Sequence, residues 1–288
     1  MHLCLKTKKK GITMRTLMLF TCCTLLLTTT SWAVAQDADQ IMRKVYELPR
    51  VKDQSSTLTF TFTEPGKNDA KVVMSMLWRS ENDDSDYSAK MLLFPTYPPN
   101  QRGKNYMTWL KKPGSEESSD DWLYLPELRK VMRLSAKDHA HHHDHNSNDE
   151  VFFRSVINRT HMDPRPPEHD KHHIIKEETI DAENYYVIES QPISIDDKYP
   201  YKRTLTWVNK QNFLIHHTHY FDRNNQLNLT MEIEWIERKN RWIWKRVNAK
   251  SMVNNAKTIL EISDIKVNSG LSENTFSKRT LKRNSLPF

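Results

Sequence analysis

Leu227-Asn228-Leu229-Thr230-Met231-Glu232-Ile233-Glu234-Trp235 alternates apolar and polar side chains without a slip. A β-strand sends successive side chains to opposite faces, so this stretch offers one greasy face and one wet face. A helix would instead place its apolar residues three and four apart. Upstream, Asp222-Arg223-Asn224-Asn225 is a turn signal joining it to 213–221. Downstream, the stretch from Glu237 to Asn240 joins it to 241–249, so both neighbours read as hairpin partners. The same period returns in Leu58, Phe60 and Phe62 and in Val72, Met74, Met76 and Trp78, with Glu64-Pro65-Gly66 between them. Further strands are predicted over 88–94, 104–111, 121–125, 129–134, 173–178, 184–190, 202–208 and 257–267. One short helix precedes them: Asp37 or Asp39 caps it, Ile41, Val45 and Leu48 share a face, and Pro49 stops it. About a dozen strands joined in chain order predict a mainly β chain, a single domain built as one large antiparallel meander.

The first 35 residues follow different rules. Lys6, Lys8, Lys9, Lys10 and Arg15 precede an uncharged run from Thr16 to Ser31, and Ala33-Val34-Ala35 supplies small residues for cleavage. These three parts make a cleaved signal peptide over 1–35, leaving a mature chain of 36–288. The apolar run is shorter than the roughly 20 residues of a membrane-spanning helix. With the leader removed, Lys+Arg falls from 43 to 38 against 36 Asp+Glu, a net charge of +2 rather than +7. A nucleic-acid partner loses its electrostatic basis. All three Cys (Cys4, Cys22, Cys23) lie in the leader, so the mature chain has no thiol for a disulfide, a zinc site or a nucleophile.

Chemistry-bearing constellations are few. A long excursion from the sheet is predicted at about 137–171. It carries His139, His141, His142, His143 and His145, with His169, His172 and His173 as a second cluster. Imidazoles bind Zn, Cu and Ni, but a solvated low-complexity loop has the same composition. Within the excursion, Val151-Phe152-Phe153 is apolar enough to dock back on the sheet. His217 and His219 are expected on the face of Phe213, Ile215 and Phe221, with His216 opposite, as residues interrupting an apolar face. Asp83-Asp84 and Asp196-Asp197 read as solvated turns. No HExxH, GxSxG, Walker A or GxGxxG motif is present, so neither an enzyme nor a cofactor is expected.

The apolar faces are unusually large in side chain. Phe60, Phe62, Met74, Met76, Trp78, Met91, Leu93, Trp109, Trp122, Tyr124, Leu229, Met231, Ile233 and Trp235 are the candidates for an apolar ligand site. They make either an ordinary core or a face too wide to fill itself, and periodicity alone does not choose.

Several segments resemble the LolA-like family of periplasmic outer-membrane lipoprotein-sorting proteins. Met91-Leu92-Leu93-Phe94-Pro95, then Arg102-Gly103 and Met107-Thr108-Trp109, is similar to its strand, proline, arginine-glycine, strand segment. Trp122-Leu123-Tyr124-Leu125-Pro126-Glu127-Leu128-Arg129 resembles its W-x-Y-x-P-x-x-R stretch. Thr206-Trp207-Val208 through Tyr220-Phe221-Asp222, and Ile262 to Asn268 with Leu271, Phe276 and Leu281, extend the likeness over roughly 39–283. After Arg133 the His-rich insert replaces the aromatic segment of relatives, and Glu150 to Ser155 is a degraded counterpart. The resemblance implies a curved antiparallel sheet forming an incomplete barrel, closed by a few short helices. It implies a periplasmic carrier that holds acyl chains of lipoproteins or lipids for transfer to the outer membrane or to a transporter. An inner-membrane transporter of the RND or MMPL type is the implied partner. Two alternatives stand beside the carrier: a periplasmic metal-binding protein acting through His139–His145, and an accessory subunit of such a transporter.

Overall fold

The computed structural model describes residues 37–112, 115, 117–134, 155–162, 165–194 and 199–283. The expected leader, the cluster at His139–His145, Val151-Phe152-Phe153 and Asp196-Asp197 lie outside the described residues.

Thirteen strands form one sheet. They are β1 Asp53–Thr63, β2 Ala70–Ser80, β3 Tyr87–Tyr97, β4 Asn105–Lys111, β5 Asp120–Leu125, β6 Lys130–Leu134, β7 Asp170–Ile180, β8 Glu183–Pro192, β9 Arg203–Asn209, β10 Ile215–Phe221, β11 Leu227–Arg238, β12 Arg241–Ser251 and β13 Lys257–Val267. Among the described residues the α-helices are short: α1 Ala38–Tyr46, α2 Arg159–Met162 and α3 Lys278–Leu281. The meander predicted from sequence is therefore present, and it does not close into a barrel.

The strand order is β6-β5-β4-β3-β2-β1-β13-β12-β11-β10-β9-β8-β7. Every pairing is antiparallel and joins strands consecutive in the chain, with one exception: β1 pairs with β13, Leu58 opposite Ile262. The ends of the β region thus meet in mid-sheet, and the two free edges are β6 and β7. These edges are consecutive in the chain, with residues 135–169 between them.

Turn chemistry matches the hairpins. Lys239 and Asn240 link β11 to β12 with both φ positive, at 49° and 57°. Asp181 and Ala182 do the same between β7 and β8, at 49° and 66°. A two-residue loop of this hand follows the natural twist of the flanking strands.

The sheet carries an apolar cluster on each face. The larger cluster defines the inner face. It contains Leu58, Phe60, Phe62, Met74, Leu93, Tyr106, Tyr220, Leu229, Met231, Ile233, Val247 and Leu260, drawn from both halves of the strand order. Helix α1 lies on the β8–β9 part of this face, burying Ala38 and Ile41 against Ile188 and Val208. Asp37 caps it, accepting from the Asp39 backbone N–H at 3.4 Å. The outer face of β2–β5 carries Leu77, Leu92, Phe94, Met107, Trp122 and Tyr124, covered by Phe276 and Leu281 of the C-terminal segment. Among the described residues no helix is long and apolar enough to cross a membrane.

Candidate functional site

The inner face is covered by residues 155–162, which run across it as a strap. Val156, Ile157 and Met162 pack into the inner cluster, and Ile157 is fully buried. Polar side chains pin the strap to strands on both sides of the β1–β13 seam. The Val156 backbone N–H donates to Thr258 Oγ1 on β13 at 2.9 Å. Arg159 Nη2 donates to Tyr106 Oη, Thr108 Oγ1 and Asp121 Oδ1, each at 3.1 Å, on β4 and β5. Asp121 is almost wholly buried and also accepts from Tyr106 Oη at 2.6 Å. His161 reaches the other half: its Nε2 lies 2.6 Å from Tyr201 Oη, and its ring meets Tyr220 edge-on at 4.9 Å.

His161 is locked in one tautomer. Its Nδ1 accepts from the Asn158 backbone N–H at 2.9 Å, so in the neutral ring Nε2 carries the hydrogen and donates to Tyr201. Burial lowers its pKa to about 4. Among the described residues no carboxylate offsets that cost, so the closed strap favours a neutral imidazole.

The sequence candidates divide between the faces. Phe60, Phe62, Met74, Leu93, Leu229, Met231 and Ile233 are buried in the inner cluster, and Met76, Met91 and Trp235 pack against it. Phe60 and Phe62 stack with ring centroids 6.0 Å apart. Trp122 and Tyr124 belong instead to the outer cluster, with Trp109 packed against them. Register explains this: Met107 pairs with Trp122, whereas the inner Tyr106 pairs with Leu123. Trp78 joins a separate small cluster with Val51, Ile243 and Val267. Sequence reasoning missed the strap and Tyr201, because neither belongs to an alternating run.

A bulge corrects the expected phase of β10. Ile215 pairs with Val208 and His217 with Trp207, leaving His216 as the extra residue. Ile215 therefore faces inward, while His217 and His219 share the outer face with Trp207 rather than the face of Ile215. Burial, and then the neighbouring imidazole, lower the pKa of His217 and of His219. Of the second His cluster, His172 is buried and bonded to Ser190 Oγ at 2.7 Å and the Pro167 carbonyl at 3.0 Å, which makes it structural.

Two surface recesses stand out, and the second also borders Met231 and Ala249 of the inner cluster. One, of about 350 Å³, lies between α1 and β7 and includes Asp39, Arg43, Asp170 and His173. The other, of about 430 Å³, lies on the outer face of β10–β13 and includes His217, His219, Glu232 and Asn248. Among the described residues, the strap fills part of the inner face with Ile157, Val156 and Met162.

The covered sheet defines a LolA-like fold. Three solved structures match 85% of the chain. A DUF1329 family protein from Desulfovibrio piger is 19% identical, with 97% of its chain covered and a TM-score of 0.70. A proposed outer-membrane lipoprotein-sorting protein domain from Vibrio parahaemolyticus is 20% identical, with 98% covered and a TM-score of 0.69. A LolA superfamily protein from Nitrosomonas europaea is 19% identical, with 100% covered and a TM-score of 0.58. The expectation of a LolA-like architecture is thereby met at the level of fold. No curated protein matches the chain. The chain belongs to a family whose description reads "Uncharacterized protein", matched over residues 88–283.

Proposed function

We propose that this protein is an exported, non-enzymatic carrier of acyl chains, from lipoproteins or lipids, and that it holds them on the inner face of the sheet beneath the strap. The observation that carries this reading is the strap itself. An apolar face spanning both halves of the sheet is covered by eight residues that offer one fully buried aliphatic side chain and a set of polar pins. The shared fold with a proposed lipoprotein-sorting domain supports the same reading.

Magnitudes favour exchange. A chain of about 16 carbons gains on the order of 12 kcal/mol when fully shielded from water, at about 0.8 kcal/mol per CH2. The side chain of Ile157 gains only about 1.5–3 kcal/mol from burial. An acyl chain can thus displace the strap and take its place in the cluster that holds Phe60, Met74 and Met231. Met suits a face that must accept varied chains, because it is unbranched and adapts its shape. Release works in reverse, with the strap returning to its pins.

Mass spectrometry of organic extracts tests the proposal. Protein exported to the periplasm and purified without detergent is expected to yield about one acyl-chain lipid per chain. Repeatedly empty extracts, together with no uptake of added fatty acid or lipopeptide, would contradict it.

A further inference from the structure

We propose a divalent-metal site, suited to Zn²⁺, on the outer face of the sheet at the β10 bulge, with His216, His217 and Glu232 as ligands. It is separate from the covered inner face and from the His-rich segment. Adjacent residues of a regular strand point to opposite faces, so two consecutive histidines cannot normally share an ion. The extra residue at His216 removes that obstacle: the rings of His216 and His217 lie 4.4 Å apart, centroid to centroid. Glu232 stands directly opposite His217 across the β10–β11 ladder. One ligand atom from each of the three residues lies within 4.8 Å of the others. Ligand atoms about 2.0–2.1 Å from a tetrahedral zinc are about 3.3 Å apart, so small side-chain rotations close the site.

A second observation points the same way. His217 Nδ1 is buried and has no hydrogen-bond partner among the described residues. A buried polar atom left without a partner is costly, and a cation beside Glu232 would satisfy it. The surroundings hold the ligands in place. His216 stacks on Tyr185 at 5.3 Å, and Trp207 packs on His217 while its Nε1 donates to Glu178 at 3.0 Å. His217 and Glu232 also line the recess of about 430 Å³, together with His219 and Asn248. Three protein ligands with one open position leave room for water or for an oxygen of an incoming ligand.

The test uses the full mature chain with His139, His141, His142, His143 and His145 all changed to Ala, so that the His-rich segment contributes nothing. Calorimetry with Zn²⁺ alone is expected to show one site per chain. His217→Ala and Glu232→Gln should each weaken it at least tenfold, while His219→Ala changes it less than about threefold. Co²⁺ added to the parent should give tetrahedral visible absorption that His216→Ala abolishes, a readout independent of any loss of stability in the His217 variant. Absence of stoichiometric binding in the five-Ala parent, or unchanged affinity in Glu232→Gln, would overturn the site.

Discussion

Two segments without strands cover the two apolar faces of one sheet, and they are built differently. The C-terminal cover of the outer face buries Phe276 and Leu281, both almost wholly inaccessible, into a cluster of Leu, Met and Trp. Its polar ties run largely between side chains and backbone. Asn105 Nδ2 donates to the Leu281 and Arg283 carbonyls at 2.8 and 2.6 Å, and Asp53 accepts from the backbone of Ser269 and Gly270 at 2.8 and 3.0 Å. The strap over the inner face buries one aliphatic side chain completely and depends on Arg159 and His161. The outer cover is thus part of the core, whereas the strap is held by a few side-chain contacts, which on the proposed function acid or a competing apolar ligand undoes. The face under the strap is the one assigned to cargo.

Breaking the outer cover should have the largest effect. Phe276→Ala is expected to cost about 3–5 kcal/mol of global stability, read from chemical denaturation. Acid should separate the two covers next. The folded pKa of His161 is about 4, below its unfolded value of 6.5. Below pH 6.5 the open strap binds a proton that the closed strap does not, so closure weakens as pH falls and loses about 3 kcal/mol by pH 4. Asp53 behaves differently. Burial pushes its pKa up, but bonds from Ser269 and Gly270 outweigh this and hold it below the usual 3.8, so its contribution survives until more acidic pH. Hydrogen exchange between pH 7 and 4 should therefore show residues 155–162 losing protection before residues 269–281 do.

Arg159→Met removes the cation beside the buried Asp121 carboxylate. It should loosen the strap by about 2 kcal/mol, speeding exchange at 155–162 with little change in the global denaturation midpoint. Ile157→Val should cost about 0.5–1.5 kcal/mol, again confined to the strap. If either variant shifted the global midpoint as much as Phe276→Ala, the two covers would not differ in kind.

The sequence made some of this contrast legible. Alternation located the strands, and Leu229, Met231 and Ile233 together with Phe60, Phe62 and Met74 fall on one face because β1, β2 and β11 hold a steady period. Period does not give phase, however. In β4 and β5 both faces are apolar, so the W-x-Y of Trp122 and Tyr124 points to either side until Met107 is seen opposite Trp122. A bulge is equally silent in composition. The extra residue at His216 turns Ile215 and His217 to different faces without altering the run of residue types. The strap escapes notice because Ile157, Arg159 and His161 act through contacts with strands distant in sequence rather than through any local pattern.

The central claim is that cargo occupies the inner face beneath the strap. Photo-cross-linking with a diazirine-bearing fatty acid, followed by peptide mapping, tests it most directly. Label is expected in the peptides carrying Phe60–Phe62, Met74 and Met231, increasing in Ile157→Val and Arg159→Met. Label centred on Trp122, Tyr124 and Phe276, or spread without preference between the faces, would contradict it.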